Sequence, residues 1–452
     1  MFVHSYDGPI TWSTKLKRIS EISGADKGLI FNNLGHIISI EMLRDMYNRL
    51  DAKKAIGIDG VTKESYGRNL EANLVGLLQR IRRGTYRSQP ARIVEIPKED
   101  GSTRPLAIAC LEDKLVQSAA SEILSAIYEP LFLPCSYGFR PKLGCHDALR
   151  ALSQKTYEVV DGAIVEIDLR KYFNSIPHGP MLEMLRAKIS DRRFVWLLET
   201  LLRAPTIDRK GIISRNERGS PQGSIVSPVL ANIFLHHVLD EWFAAISVSH
   251  FEDEAWEIRY ADDCVFVFKS MSDAERFYRV LDKRLNKYGI ELHQEKSQLL
   301  PAGNVAATRA KRKGTHLPTF KFLGFVCYWG LSRSKSFWRL KLKSRSDRKR
   351  AKLRGLREYL RGKLNTANVA NVLQHVIAGV RGWVTYHAVS DNGQAVGGFI
   401  IESMKILFQW FNRRGGRRAM NWKRFNRLLV AINFPKMPKI VNLFSTPNQA
   451  SA

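Results

Sequence analysis

The feature that most constrains this fold is a pair of adjacent aspartates placed between two strand-like runs. Residues 257–269 have the pattern of a strand, a turn and a second strand, with Asp262-Asp263 at the turn. Two neighbouring carboxylates repel one another, and the apolar run 265–268 makes their surroundings poor in water. The pattern therefore predicts an antiparallel hairpin whose acidic tip requires a compensating cation.

A third aspartate ends another predicted strand. Residues 163–169 alternate between apolar and acidic side chains, which is typical of a half-buried strand. Nucleotidyl transfer commonly uses two divalent cations about 4 Å apart, and Mg²⁺ binds well to a few carboxylates together with phosphate and water oxygens. Such a site gathers aspartates from separate strands, so Asp168, Asp262 and Asp263 are its candidate ligands. An Asp-Asp pair on its own is weak evidence, because aspartate is common in turns.

The remaining periodicities predict a mixed fold that ends in helices. Residues 92–97 and 104–108 form a predicted β-hairpin, and residues 111–128 have helical spacing. Residues 301–318 are rich in Ala, Gly and Lys and are predicted to be a loop, which is followed by a strand pair over 320–329. Further helices are predicted near residues 345–363, 367–388 and 397–413.

The positive charge is concentrated in the last third of the chain. Residues 301–452 contain 30 Lys and Arg against 4 Asp and Glu, a net charge of +26, whereas residues 1–300 contain 41 and 39, a net charge of +2. An excess segregated this strongly favours a polyanionic partner, because each neutralised phosphate releases a counterion. A basic surface that serves only solubility is the alternative.

Composition narrows the class of protein. An apolar fraction of 44% excludes general disorder. We expect no membrane partner, because we find no run of eighteen apolar residues and no signal-peptide pattern. The five cysteines form no closely spaced pair, so we expect a reducing compartment, such as the bacterial cytoplasm or nucleoid.

Three longer stretches resemble sequence boxes of reverse transcriptases, in the order and spacing of that family. Residues 259–268, RYADDCVFVF, resemble the YxDD box. Residues 165–176, VEIDLRKYFNSI, resemble the box that carries the first catalytic aspartate. Residues 219–234, GSPQGSIVSPVLANIF, resemble the box that packs against the template and the incoming nucleotide. Together these stretches place the three aspartates in the setting of one known active site.

The resemblance is strongest to group II intron reverse transcriptases, also called maturases. It rests on stretches such as RIVEIPKEDGSTRPLAI at 92–108, SYGFRPKLGCHDAL at 136–149 and GWVTYH at 382–387, and it covers roughly residues 45–440. It implies an α+β right-hand polymerase with fingers, a palm built on an antiparallel sheet, a helical thumb and a basic α-helical C-terminal region. The implied domains are an N-terminal extension over residues 1–50, fingers and palm over 51–330, a thumb or maturase-specific helical domain over 331–400, and a basic RNA-binding segment over 401–452.

The resemblance also implies roles for individual residues. Asp168 and Asp262 would hold two Mg²⁺ ions, with Asp263 supporting them and the backbone carbonyl of Leu169 as a further ligand. The implied contacts to the incoming dNTP are Lys98 and Arg104 at the triphosphate, Phe173 as a gate against a ribose 2′-OH, Gln222 near the sugar, and Lys296 as a proton donor toward pyrophosphate. The implied primer grip consists of Phe322, Leu323, Gly324 and Phe325. On the residues alone, Phe173 is also compatible with a core aromatic. Lys98 and Arg104 are likewise compatible with solvated charges on an exposed turn.

The family's thumb and C-terminal region grip intron RNA, which fits the charge distribution. The candidate RNA contacts are Arg345, Arg348, Lys349, Arg350, Arg413, Arg414, Arg417, Arg418 and Lys423. Trp410, Phe411 and Trp422 lie among the later group, where aromatic rings could stack on unpaired bases but are more typical of a core. The implied partners are a structured intron RNA, an RNA template with a DNA primer, and dNTPs.

The resemblance therefore implies an RNA-directed DNA polymerase that copies intron RNA into DNA and acts as a maturase in splicing. A freestanding relative that serves DNA repair or phage defence would share the chemistry, and the sequence leaves it open. A splicing chaperone without polymerase activity is disfavoured, because all three aspartates are present. No Cys pair follows Cys327, so we expect no C-terminal zinc-linked endonuclease domain.

Overall fold

The described part of the protein consists of helices and three β-sheets. The computed structural model describes residues 11–97, 103–363, 368–415 and 419–444. The α-helices are α1 (Trp12–Ala25), α2 (Ile40–Arg49), α3 (Lys63–Gly67), α4 (Leu70–Arg83), α5 (Leu111–Tyr128), α6 (Cys145–Tyr157), α7 (Tyr172–Ser175), α8 (His178–Lys188), α9 (Arg192–Leu202), α10 (Ser227–Leu235), α11 (Glu241–Ser249), α12 (Met271–Lys287), α13 (Asn304–Arg312), α14 (Ser346–Gly362), α15 (Val369–His387), α16 (Gly393–Gly415) and α17 (Trp422–Ala431). The strands are β1 (Ala91–Pro97), β2 (Thr103–Ile108), β3 (Gly162–Ile167), β4 (Thr206–Ile207), β5 (Ile213–Ser214), β6 (Ala255–Tyr260), β7 (Asp263–Phe268), β8 (Gln298–Ala302), β9 (Phe320–Phe322), β10 (Phe325–Leu331) and β11 (Trp338–Ser344).

The central sheet has the strand order β6-β7-β3-β8 and is antiparallel throughout. It contains the predicted hairpin, as β6 and β7, and the predicted strand β3. Along β3, Val165 and Ile167 pack into one core, whereas Ile164 packs into a second core on the opposite face. The strand is therefore buried on both faces, and the prediction of a half-buried strand was wrong. Sequence alternation could not reveal this, because the layer that covers the outer face comes from β9–β11 and α6.

A second sheet, with the order β2-β1-β4-β5, contains the other predicted hairpin. β1 and β2 pair in antiparallel fashion with Arg92 opposite Ile108. Pro105 fits within β2 because β2 lies at the edge of the sheet, where a missing backbone N–H is tolerated. The turn of this hairpin, residues 98–102 with Lys98, lies outside the described residues.

A third sheet, formed by β9, β10 and β11, packs against the outer face of the central sheet through the second core. β9 and β10 are the predicted strand pair. Leu323 and Gly324 join them with φ values of +45° and +80°, as in the tight turns that match the twist of a hairpin. The segment 301–318 before this sheet was predicted to be a loop. The prediction holds for residues 313–318, but residues 301–302 end β8 and residues 304–312 form α13. It was wrong over 304–312 because Ala and Lys favour a helix more than the nearby glycines oppose it.

The three predicted C-terminal helices are confirmed as α14, α15 and α16, and α17 follows them. All four contribute to one core, with Leu353, Val376, Phe399 and Phe425 among its buried residues. Position 400, the predicted limit between the thumb and the C-terminal segment, lies inside α16. The domain limits remain a prediction.

One long helix is made of α10, a π-helical segment over His236–Asp240, and α11. By length and composition this helix, Ser227–Ser249, could cross a membrane, and 67% of its most apolar window is buried within the protein. Core helices of folded domains have the same properties, so the finding is weak evidence for a membrane span.

Candidate active site

The three aspartates lie together at one edge of the central sheet. Asp262 lies in the tight turn between β6 and β7, and Asp263 begins β7. β3 runs antiparallel to β7 with Ile167 opposite Cys264, so the next step of the register sets Asp168 opposite Asp263. The fold thus brings together the carboxylates that the sequence singled out.

The proximity of these carboxylates is visible in their pKa values. Burial raises the pKa of Asp262 above its ordinary value, and the charge of Asp168 raises it further. Asp263 is exposed at the start of β7, but protein surrounds its carboxylate closely enough to affect its ionisation. Its partial removal from water, together with repulsion from Asp262 and Asp168, raises the pKa of Asp263 to about 7. Carboxylates that oppose one another's ionisation in this way form an anionic cluster that a divalent cation would relieve.

Basic side chains supply part of the compensating charge that the Asp-Asp pair requires. Lys296 Nζ lies 3.6 Å from Asp168 Oδ2. The positive charges of Arg104 and Arg259 both oppose the rise in the pKa of Asp262. Arg104 and Lys296 were singled out from the sequence, and the structure places both near the aspartates. Lys98, the predicted partner of Arg104, lies outside the described residues.

The loop before α10 is bonded to the segment that follows the first aspartate. The backbone N–H of Ser220 donates to the Phe173 carbonyl at 2.7 Å, and that of Gly219 donates to the Ile176 carbonyl at 2.7 Å. Gly219 has a φ of +81°, and a Cβ at this position would lie 2.7 Å from the backbone of Asn174. Only glycine allows this close approach, so the loop is held in one place relative to Phe173.

The same loop also contacts the β1–β2 hairpin. The Ala107 N–H donates to the Gln222 carbonyl at 2.6 Å, and a Cβ on Gly223 would lie 2.6 Å from the Ala107 carbonyl oxygen. The side-chain oxygen of Gln222 is buried and has no hydrogen-bond partner among the described residues. A buried acceptor of this kind is completed by water or by a ligand.

Phe173 is partly buried and lies edge-on to Phe139, with ring centroids 6.4 Å apart. Phe139 was not singled out from the sequence, yet it is 55% exposed and has a φ of +58°. A bulky residue in the left-handed region is strained, and such strain clusters at functional sites. No local sequence signal marks it, because its position depends on the fold of the segment around it.

The residues predicted as a primer grip are all buried. Phe322, Leu323 and Phe325 belong to the second core and contribute packing there. Leu323 and Gly324 form the turn itself, and the Tyr386 hydroxyl donates to the Leu323 carbonyl at 2.8 Å. The turn is therefore tied to α15, and its role toward a primer stays a prediction.

Arg348, predicted as an RNA contact, lies close to this turn and acts on the charge of Asp263. A Cβ on Gly324 would lie 3.2 Å from Arg348 Nη1. The positive charge of Arg348 also opposes the rise in the pKa of Asp263. The side chain thus acts electrostatically on Asp263, which its position in the sequence could not indicate.

A buried ion pair behind the catalytic turn was missed from the sequence. Arg259 and Asp240 are both fully buried, and Arg259 Nη2 lies 2.6 Å from Asp240 Oδ2. Cys135, Asp240 and Glu257 offer ligand atoms within 4.8 Å of one another. Both Asp240 oxygens already accept hydrogen bonds from Arg259, so we interpret this cluster as an ion-pair network rather than a metal centre.

The sheet edge that carries the three aspartates has the donor set of a divalent-cation site. It offers carboxylate oxygens from Asp168, Asp262 and Asp263, and hard oxygen ligands are those that Mg²⁺ prefers. The Asp168 carbonyl accepts from the His293 N–H on the β8 side. Leu169 forms an isolated antiparallel bridge with Leu292 on that side, and its carbonyl as a cation ligand stays a prediction. The residues present therefore fit a divalent cation.

The predicted RNA contacts differ in what they already bind. Arg350, Arg413 and Lys423 are exposed. Lys349 pairs with Glu402 at 2.7 Å, and Arg345 pairs with Asp347. The Arg414 side chain, Arg417 and Arg418 lie outside the described residues. Of the interleaved aromatics, Trp410 is a core residue, whereas Trp422 is 46% exposed and stacks on Phe408.

Comparison with known proteins is consistent with this geometry. Residues 96–327 match the sequence family described as reverse transcriptase (RNA-dependent DNA polymerase). The chain is 32% identical over 227 residues to "Group II intron-encoded protein LtrA" of Lactococcus lactis, covering 49% of this chain and 37% of that protein. It is 33% identical over 241 residues to "Protein YkfC" of Escherichia coli (47% and 63%) and 36% identical over 214 residues to "Uncharacterized 91 kDa protein in cob intron" of Schizosaccharomyces pombe (46% and 25%). The matched segment is thus less than two thirds of each relative's length.

Proposed function

The chain belongs to the reverse transcriptase family, and from this premise we propose that it is an RNA-directed DNA polymerase encoded by a group II intron. The observation that carries the proposal is the meeting of Asp168, Asp262 and Asp263 at one sheet edge, flanked by basic residues. In the terms of a right-hand polymerase, the central sheet is the palm, the β1–β2 hairpin belongs to the fingers, and α14–α16 form the thumb.

The proposed cofactor is a pair of Mg²⁺ ions. Asp168 and Asp262 would hold them, supported by Asp263 and by the Leu169 carbonyl. When bound, such ions activate the attacking primer hydroxyl and stabilise the charge on the leaving pyrophosphate. Repulsion among the aspartates means that the protein alone leaves this cluster electrostatically unsatisfied, which favours cation binding.

The surrounding residues would bind and orient the dNTP. Arg104, in strand β2 opposite Ile96, has the planar fork suited to phosphate oxygens, and we assign Lys98 to the same role. Phe173 would occupy the space of a ribose 2′-OH. Gln222, whose buried side-chain oxygen has no hydrogen-bond partner among the described residues, would lie near the sugar. Lys296, held beside Asp168, would give a proton to the departing pyrophosphate.

The proposed nucleic-acid partners are an RNA template with a DNA primer and the structured intron RNA. The net charge of +26 over residues 301–452 supports a large phosphate footprint beyond the primer–template duplex. The exposed basic face of α14 and the basic residues around α17 are the surfaces we assign to the intron RNA. The maturase role in splicing rests on that assignment.

Primer extension on an RNA template tests the proposal. Asp262→Asn keeps the shape of the side chain but removes a charged ligand, so we expect synthesis to fall by roughly 10³-fold or more while RNA binding persists. Asp273→Asn is the matched control, because Asp273 is a buried carboxylate beyond the opposite end of the β6–β7 hairpin. Near wild-type extension by the Asp262 variant would show that the site is assigned wrongly.

A further inference from the structure

A charged network lies directly behind the catalytic turn. Arg259 and Asp240 are both 0% exposed. Arg259 Nε donates to Asp240 Oδ1 at 2.7 Å, and Nη2 donates to Asp240 Oδ2 at 2.6 Å. This two-pronged pairing fixes the plane of the guanidinium group and leaves the second terminal nitrogen, Nη1, aimed in one direction.

That remaining nitrogen reaches the catalytic turn. Arg259 Nη1 donates to Asn232 Oδ1 at 3.0 Å and to the Ala261 carbonyl at 3.2 Å. Ala261 immediately precedes Asp262 and has a φ of +58°, a conformation that residues with a side chain rarely adopt. The hydrogen bond therefore holds the peptide group that carries Asp262, in a turn that its own backbone preferences disfavour.

The same network includes the segment that packs on the turn from the other side. Asn232 Nδ2 donates to the Gly138 carbonyl at 2.7 Å. A Cβ on Gly138 would lie 2.4 Å from the Ala261 backbone nitrogen, so the two segments are in direct contact. The backbone of Arg259 also pairs with this segment, since its carbonyl accepts from the Tyr137 N–H at 2.8 Å. The turn is thus enclosed between Arg259 and the segment that ends at Gly138.

The helix that contains Asp240 changes from α-helical to π-helical geometry just before this residue. Asn232 lies in α10, and Asp240 ends the π-helical segment that joins α10 to α11. Such insertions in a helix occur frequently at functional sites, because the extra residue re-aims the side chains that follow it. Here both helix residues face Arg259, although no regular sequence pattern marks them.

A second buried acid lies beside the ion pair. Glu257 is 6% exposed and lies near Asp240. Burial and the charge of Asp240 raise the pKa of Glu257 well above its ordinary value, so a second negative charge beside Asp240 is disfavoured. The Arg259–Asp240 pair is the salt bridge of this network. A buried ion pair is weak evidence for stability, because apolar residues of similar volume often stabilise a fold as well.

We propose that Arg259, held by Asp240 and Asn232, is a positioning residue that fixes the Asp262-Asp263 turn for divalent-cation binding. The proposal rests on the function proposed above for the aspartates. Partners behind metal ligands typically change metal affinity or activity by about 10- to 100-fold when they are lost. Arg259 does not touch the reacting atoms, so its loss acts through the geometry of the turn.

Arg259→Lys is the first test. A lysine keeps the positive charge toward Asp240, but a single ammonium group cannot also reach Asn232 and the Ala261 carbonyl. We expect Mn²⁺ binding, measured by electron paramagnetic resonance or calorimetry without nucleic acid, to weaken by about tenfold or more. We expect kcat to fall by a similar factor while KM for dNTP stays within about twofold, because the triphosphate contacts are untouched.

A double variant, Arg259→Met with Asp240→Leu, is used if the lysine variant folds poorly. It removes both buried charges together and so leaves neither uncompensated, and we expect the same loss of Mn²⁺ affinity. Asp273→Asn, a buried carboxylate away from the turn, is the control and should leave Mn²⁺ affinity unchanged. A folded Arg259 variant with wild-type Mn²⁺ affinity and wild-type kcat would overturn the proposal. Mn²⁺ binding is measured without polymerisation, so the two proposals can fail separately. A wild-type protein that does not extend a primer would refute the proposed function, whereas the Mn²⁺ affinities would still decide whether Arg259 positions the turn.

Discussion

The outer face of α14 gives the sharpest test of the proposed intron-RNA partner. Its exposed arginines recur at every third or fourth residue and so form one stripe, Arg350, Arg354, Arg357 and Arg361. None of these side chains makes an ion pair or a hydrogen bond to another residue in the described part of the chain. Lys349, next to the stripe in sequence, is instead paired with Glu402 at 2.7 Å. Neighbouring basic residues therefore differ in their availability to phosphate.

The expected effect follows from counterion release. Each phosphate contact contributes about 0.9 to the slope of log K against log salt concentration, so replacing all four stripe arginines by glutamine should lower that slope by up to about 3.6. Between 50 and 200 mM salt, a fourfold range, the wild type would then lose about 150-fold more affinity than the variant. Arg350→Gln alone should lower the slope by about 0.9, whereas Lys349→Gln should change it little.

Filter binding to the structured intron RNA across a salt series measures these slopes. Primer extension on a short template, run in parallel, should be less affected by the four-residue variant, because the aspartates are untouched. Equal effects of Arg350→Gln and Lys349→Gln would refute the reasoning, since it depends on intramolecular pairing. Equal losses of RNA binding and primer extension would show that the stripe holds the primer duplex instead.

Three further predictions concern selectivity, pH dependence and packing. Phe173→Ala should raise ribonucleotide incorporation relative to dNTP incorporation, because the ring no longer excludes a 2′-OH; an unchanged ratio in competition assays of an active enzyme would contradict it. Wild-type stability should fall as pH rises from about 4.5 toward the raised pKa of buried Glu257, because the unfolded chain releases a proton that the folded protein retains. Glu257→Gln should remove that decline in urea unfolding at pH 5 and 8, and parallel pH profiles for the two proteins would speak against it. Tyr386→Phe should lower the free energy of unfolding by ~1 kcal/mol through the lost bond to the Leu323 carbonyl, measured by denaturant titration, and no loss would show that water replaces that bond.

The elements that the sequence determined are those whose pattern is local. The hairpin around Asp262-Asp263, the β1–β2 hairpin and the helix over Leu111–Tyr128 each follow from short-range periodicity and turn residues. The motif order also indicated that Asp168 joins the other two aspartates, although chain spacing alone gives no distance. Where local preferences conflicted, as in the Ala- and Lys-rich segment that forms α13, the sequence-based prediction was wrong.

Tertiary structure decided which side chains support the site. Arg259 and Asp240 lie in different elements, and only the fold buries both side chains next to each other. Away from water, each charge is compensated by the other. Phe139 acquires its strained, exposed conformation from the packing of its segment on the catalytic turn. Lys349 and Arg350 are equivalent in sequence, but a carboxylate from α16 pairs with one and leaves the other facing solvent. Sequence periodicity reports which face of an element is apolar, whereas long-range pairing depends on where the chain brings distant residues together.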